Sequence, residues 1–216
     1  MNTKVLLITP PFTQLNTPYP ATAYLKGFLN TQNIASNQAD LGIETILQLF
    51  TEQGLTTIFE IIEENLEWAD LSANSQRMVH LQEDYLQTIT PTISFLQHKN
   101  PTLAHTICSR NYLPESSRFQ NLNDLEWAFG TMGTQDKARH FATLYLEDLG
   151  DLIKECIDPY FGFSRYAERL GRTATHFEPL HEALKEENSL ISDILLQLLA
   201  YKIEDYEPTV VCLSVP

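Results

Sequence analysis

Basic side chains are scarce in this sequence: 14 Lys and Arg stand against 28 Asp and Glu, for a formal charge of -14. A surface of that sign repels phosphate backbones and anionic headgroups, which argues against nucleic acid and membrane surfaces as partners. Cysteine is scarcer still. Cys108, Cys156 and Cys212 are odd in number and far apart, so they form neither a disulfide framework nor a metal knuckle and suit a reducing cytoplasm. No apolar run approaches the ~20 residues needed to span a bilayer. The short run after Met1-Asn2-Thr3 ends at Pro10-Pro11, without a signal-peptide core or cleavage site. No Gly-x-Gly-x-x-Gly or phosphate-loop pattern occurs, which disfavours a small nucleotide-binding protein. A soluble, cytoplasmic protein is expected.

What is present begins with Lys4-Val5-Leu6-Leu7-Ile8-Thr9, a continuous apolar run ahead of a double proline, the pattern of a strand buried on both faces of a parallel sheet. A loop rich in Pro, Thr and Asn leads to Pro20. The segment Ala21 to Gln32 then places Ala21, Tyr24, Leu25, Phe28 and Leu29 at helical spacing. Strand, loop and amphipathic helix open a crossover unit. Ile34 to Asp40 is a second, more polar strand, with Asp40 at the end where such sheets carry functional side chains.

From Leu41 the periodicity is helical for about 160 residues, at Ile43 to Gln53, Thr56 to Leu66, Gln76 to His98, Lys137 to Ile157 and Ser189 to Ile203. Gly54, Pro91, Pro101, Pro114, Gly130, Gly133, Pro159, Gly162, Gly171, Pro179 and Pro208 punctuate this stretch as stops, kinks and turns. After Pro208, Thr209 to Val215 is a second buried-type strand, β-branched and uninterrupted. Three strands and one cover helix do not complete a parallel sheet, and an apolar strand there would be an unprotected edge. A truncated piece of a longer protein is therefore expected, with a second copy pairing along the sheet edge as the other way to cover it.

Several clusters invite chemistry and have plainer explanations. His176, Glu178, His181 and Glu182 suggest a metal site, yet Pro179 breaks the spacing a helical ligand pair needs, and a capped helix start is the default. Arg165, Arg169 and Arg172 would share a helical face able to hold an anion, with a solvated ion-pair surface the favoured reading. Glu60, Glu63, Glu64 and Glu67 oppose Ile58, Ile61, Ile62 and Leu66 as the polar side of an ordinary amphipathic helix. Tyr19, Tyr24, Trp68, Trp127, Phe161 and Phe163 are expected as core or interface aromatics.

The strand ending in Pro10-Pro11, the loop to Pro20, the helix Ala21 to Leu29, Asp40 and Leu213-Ser214-Val215-Pro216 together resemble the N-terminal cobalamin-binding region of cobalamin-dependent radical S-adenosylmethionine proteins. The resemblance covers about 50 of 216 residues; the helical middle looks like an insert of one branch. It implies that Thr9, Pro10, Pro11, Phe12, Asp40 and Ser214 contact cobalamin, with Ser214 near the tail base of the cofactor. The Asp-x-His-x-x-Gly motif of many cobalamin-binding loops is missing: Pro10 to Asn16 contains no histidine. Also missing are the later glycine pair and the Cys-x-x-x-Cys-x-x-Cys motif for a 4Fe-4S cluster, so the chain alone is expected neither to cleave S-adenosylmethionine nor to bind cobalamin measurably. Cluster and S-adenosylmethionine would belong to a missing C-terminal part, the partner the resemblance implies.

The expected fold is α/β: a partial Rossmann-like, flavodoxin-like parallel sheet interrupted by a large all-helical insert, and predominantly helical overall. Residues 1-44 with 206-216 would form the incomplete sheet domain and 45-205 the insert covering an active site. The expected function is the cofactor-binding and substrate-shaping fragment of such an enzyme, with no catalytic or metal-binding residue of its own. The alternative is a non-enzymatic helical interaction module.

Overall fold

The computed structural model of the chain describes residues 3-11, 15, 19-120, 122, 133-163, 177-178, 181, 185 and 188-214. It is an α/β fold, mostly helical, with one small parallel sheet. Two compact units divide it: Met1–Gln48 with Gly162–Pro216, and Leu49–Phe161.

In the first unit the strands β1 (Lys4–Thr9), β2 (Ala35–Asp40) and β3 (Val210–Leu213) lie in the order β2-β1-β3, all parallel. The apolar run is the central strand because only a central strand is covered on both faces. Val5, Leu6, Leu7, Ile8 and Thr9 are all buried. Pairing runs Thr9 to Asp40 on one side and Ile8 to Leu213 on the other. The two ends of the sequence are thus neighbouring strands, as their matching composition predicts. Polar β2 takes one edge and β3 the other.

Helix α1 (Ala21–Thr31) packs on β1 and β2, and α2 (Leu41–Leu49) follows β2 directly. Helix α8 (Leu190–Tyr206) starts at Ser189, whose side chain accepts from Ser192 N. The boundaries 45-205 count it with the insert; here Leu195, Leu198, Leu199 and Tyr206 pack against Leu6, Ile8, Ala39 and Leu41. It belongs with the sheet because a crossover between parallel strands must lie on the sheet's face. Burying each of Leu6 and Ile8 in this layer contributes about 1.5 to 3 kcal/mol.

The second unit contains α3 (Glu52–Asn65), α4 (Ala73–His80), α5 (Gln82–Leu96), α6 (Leu103–Cys108) and the long α7 (Thr134–Cys156). The break before α3 falls at Thr51, three residues earlier than Gly54 suggests. Thr51 Oγ1 accepts from Gly54 N at 3.0 Å, so the glycine lies in the first turn. The periodic stretch Gln76 to His98 is two helices that meet at Leu81, while Pro91 sits inside α5. Of the expected apolar face of α3, Ile58 and Ile62 are buried, with Leu55 and Phe59 beside them, but Ile61 is half-buried and Leu66, just past the helix end, is exposed; Glu60, Glu63, Glu64 and Glu67 are exposed as expected.

Of the aromatics expected at core or interface positions, Phe161 is in the core, Tyr19 and Phe163 are half-buried, and Tyr24 and Trp68 are 78% and 53% exposed, which leaves them only the interface role; Trp127 lies outside the described residues. On α1, Tyr24, Leu25 and Phe28 all face outward. The short helix α6 has no counterpart in the sequence reading, since six residues are too few for a periodic signal.

Candidate functional site at the carboxyl edge of the sheet

In open parallel sheets ligands bind beyond the carboxyl ends of the strands, where the order reverses. Here that point lies between β1 and β3, and three of the six candidate residues meet at this edge. Thr9 ends β1 and is 1% exposed. Asp40 ends β2, paired with Thr9. Ser214 follows β3, and its N–H donates to Ile8 O at 2.9 Å, which carries the β1–β3 ladder one step further. Pro10 and Pro11 continue from Thr9, half-buried. Phe12 lies outside the described residues.

The carboxylate of Asp40 has a structural duty. Its Oδ1 accepts from Ile43 N at 3.0 Å, capping the start of α2. One oxygen is therefore committed, and the side chain is fixed at the sheet edge. Among the described residues the edge presents small polar groups, two prolines and the Asp40 carboxylate.

For the corrinoid that the resemblance implies, Ser214, half-buried after β3, is the residue that would lie beside its nucleotide tail, whereas Thr9, 1% exposed, offers it almost no surface. Residues 10-16 contain no histidine, so this loop would supply no imidazole to a bound corrinoid. An iron-sulfur cluster does not fit the cysteines present: Cys212 lies in β3 while Cys108 and Cys156 end α6 and α7 in the helical unit. Burial pushes the Cys156 thiol up to about 11 and also raises Cys108, the opposite of an activated thiolate.

Of the remaining clusters, Arg165, Arg169, Arg172, His176, Pro179 and Glu182 lie outside the described residues. His181 N donates to Phe177 O at 3.0 Å in a helical turn, and its ring stacks on Phe177 with centroids 5.7 Å apart. Among the described residues no group of His, Cys, Asp and Glu is placed to hold a metal ion, and no helix is long and apolar enough to cross a membrane.

The sequence reading missed a polar interior in the helical unit. Tyr85 and Tyr145 are fully buried and stacked, with ring centroids 5.3 Å apart. The Tyr145 hydroxyl donates to Tyr85 O at 3.2 Å and lies 3.1 Å from Thr88 Oγ1. Asp148, 0% exposed, accepts from Ser117 Oγ and Arg118 N, each at 3.2 Å. Burial lifts its carboxyl above the usual range even though those hydrogen bonds oppose the shift. Glu155 behaves oppositely. Partial burial acts to raise its pKa, but donation from Ser72 N, Ser75 Oγ and Ser72 Oγ at 2.7 to 2.8 Å outweighs that and lowers it. One signal was available: Asp148 falls in the apolar register set by Tyr145, Leu149 and Leu152, where a carboxylate is out of place.

No family model, no curated protein and no solved structure matches this chain.

Proposed function

We propose that this chain is the N-terminal cofactor-binding and substrate-shaping part of a cobalamin-dependent radical S-adenosylmethionine enzyme, not catalytic by itself. The observation that carries the reading is the parallel order β2-β1-β3, with Thr9 and Ser214 flanking the point where the order reverses. It gives the strand motifs of the family resemblance a common edge. Within this reading the crevice holds the cofactor's tail, Pro10 and Pro11 shape the loop over β1, and Asp40 keeps α2 in place beside it. When bound, cobalamin would supply group-transfer or radical chemistry; the residues here bind and orient. Cluster and S-adenosylmethionine sites lie in a further part of the same protein.

Expression of the complete reading frame under anaerobic conditions, with cobalamin supplied, tests this. Cobalamin absorption and an iron-sulfur signal in the purified protein are expected. Protein with neither signal, or a reading frame that stops at Pro216, contradicts it.

A second reading, a non-enzymatic helical module that pairs with another copy of itself, is favoured by one observation. Val210, Val211 and Leu213 of the edge strand β3 are 43%, 44% and 62% exposed, a template for strand addition. Light scattering on the chain separates the two: a stable dimer that Val211→Lys dissolves supports the module, and a monomer removes it.

A further inference from the structure

Two polar atoms inside the helical unit have no partner. Tyr85 Oη and Asp148 Oδ2 are both shielded from solvent and make no hydrogen bond. They occupy one neighbourhood. Tyr145 stacks on Tyr85, and Asp148 follows Tyr145 by three positions in α7, one turn along the same face. The 3-10 turn Ser117–Phe119 closes the other side, with Ser117 Oγ and Arg118 N on Asp148 Oδ1. Asp148 acts on the Tyr85 phenol through its charge and Ser116 as a weakly hydrogen-bonding neighbour, and neither approaches Tyr85 Oη with the geometry of a normal hydrogen bond. Ser116 Oγ donates to Asn74 Oδ1 and so retains acceptor capacity.

Buried orphans of this kind are costly, and two beside each other call for a shared partner. A site with two to four polar groups in a protein interior holds water, whereas an apolar void stays dry. We propose that Tyr85, Asp148 and Ser116 bind one internal water molecule that joins α5, α7 and the segment between α6 and α7. Asp148 Oδ1 already accepts two hydrogen bonds, so Oδ2 is the oxygen left to accept from the water, which donates its other proton to Ser116 Oγ and accepts from the Tyr85 hydroxyl.

A high-resolution crystal structure of the chain tests this directly. One ordered solvent peak within hydrogen-bonding distance of both Tyr85 Oη and Asp148 Oδ2 is expected. A dry site, or a direct bond between the two side chains, overturns the proposal. A double-mutant cycle in urea with Tyr85→Phe and Asp148→Asn provides a second readout. Because both residues would share one solvent molecule, their effects on the unfolding midpoint should be non-additive, and additivity within error counts against a shared molecule.

Discussion

Lys4 and Thr209 hold each other in both directions. Lys4 N donates to Thr209 Oγ1 at 2.9 Å, and Thr209 N donates to Lys4 O at 2.9 Å. Lys4 Nζ also reaches Tyr206 O at 3.2 Å, at the end of α8. This clasp fixes the start of the β1–β3 pairing, so register is set where the crossover helix delivers the chain to the sheet.

Thr209→Val removes the hydroxyl from the clasp but keeps the shape and the backbone bond. The expected loss is about 0.5 to 1.5 kcal/mol for each of the two hydrogen bonds the hydroxyl makes, accepting from Lys4 N at 2.9 Å and donating to Lys4 O at 3.2 Å. Leu6→Ala, in the centre of the layer beneath α8, should cost about 2 to 5 kcal/mol. Urea unfolding ranks the two; equal losses would mean that the end of the sheet is held by something other than burial.

Asp40 combines a place at the candidate site with a cap on α2. Asp40→Ala should destabilise the protein by about 0.5 to 2 kcal/mol, and Asp40→Asn, which keeps an oxygen for Ile43 N, by much less. Thermal unfolding of both variants checks this. A change of Asn as harmful as Ala would show that the carboxylate's charge, and not its capping oxygen, is what the fold uses.

Asp148 makes a prediction about pH. Burial is the main cause of its raised pKa, so the native protein keeps this proton to a higher pH than the unfolded chain does. Its contribution to stability is complete below the ordinary aspartate value, about 4, and is lost as pH rises through the native value. The groups around it are Tyr85 from α5, Arg118 from the 3-10 turn and Asp151 on its own helix. Asp148→Asn cannot titrate. Wild-type stability minus that of the variant should therefore fall as pH is raised from 4 toward neutrality in a series of urea titrations. A difference independent of pH would contradict a carboxyl whose pKa burial raises in the native state.

The strands β1 and β3 and the helices α1, α7 and α8 were legible because composition and periodicity survive in single segments. Their pairing was legible too: two fully apolar runs have few other places to go. The break at Leu81 was not, because it has neither Gly nor Pro and depends on the meeting of two helices. Nor was the allegiance of α8, since an amphipathic stripe does not name the surface it covers. The outward aromatics Tyr24 and Trp68 escaped the reading for the same reason. At the sheet edge, strand ends pointed to Thr9 and Asp40 and the family resemblance to Ser214, but the cap made by Asp40 is a tertiary detail of φ, ψ and reach.

The crevice between β1 and β3 is the core of the functional proposal, and corrinoid retention by a Ser214→Trp variant of the protein from the complete reading frame tests it most directly. Absorbance and iron content after gel filtration should show the corrinoid lost and the iron kept, since a bulky ring fills the rim without touching the cluster. Corrinoid retained at the unmodified level in that variant would contradict a cofactor site at this edge.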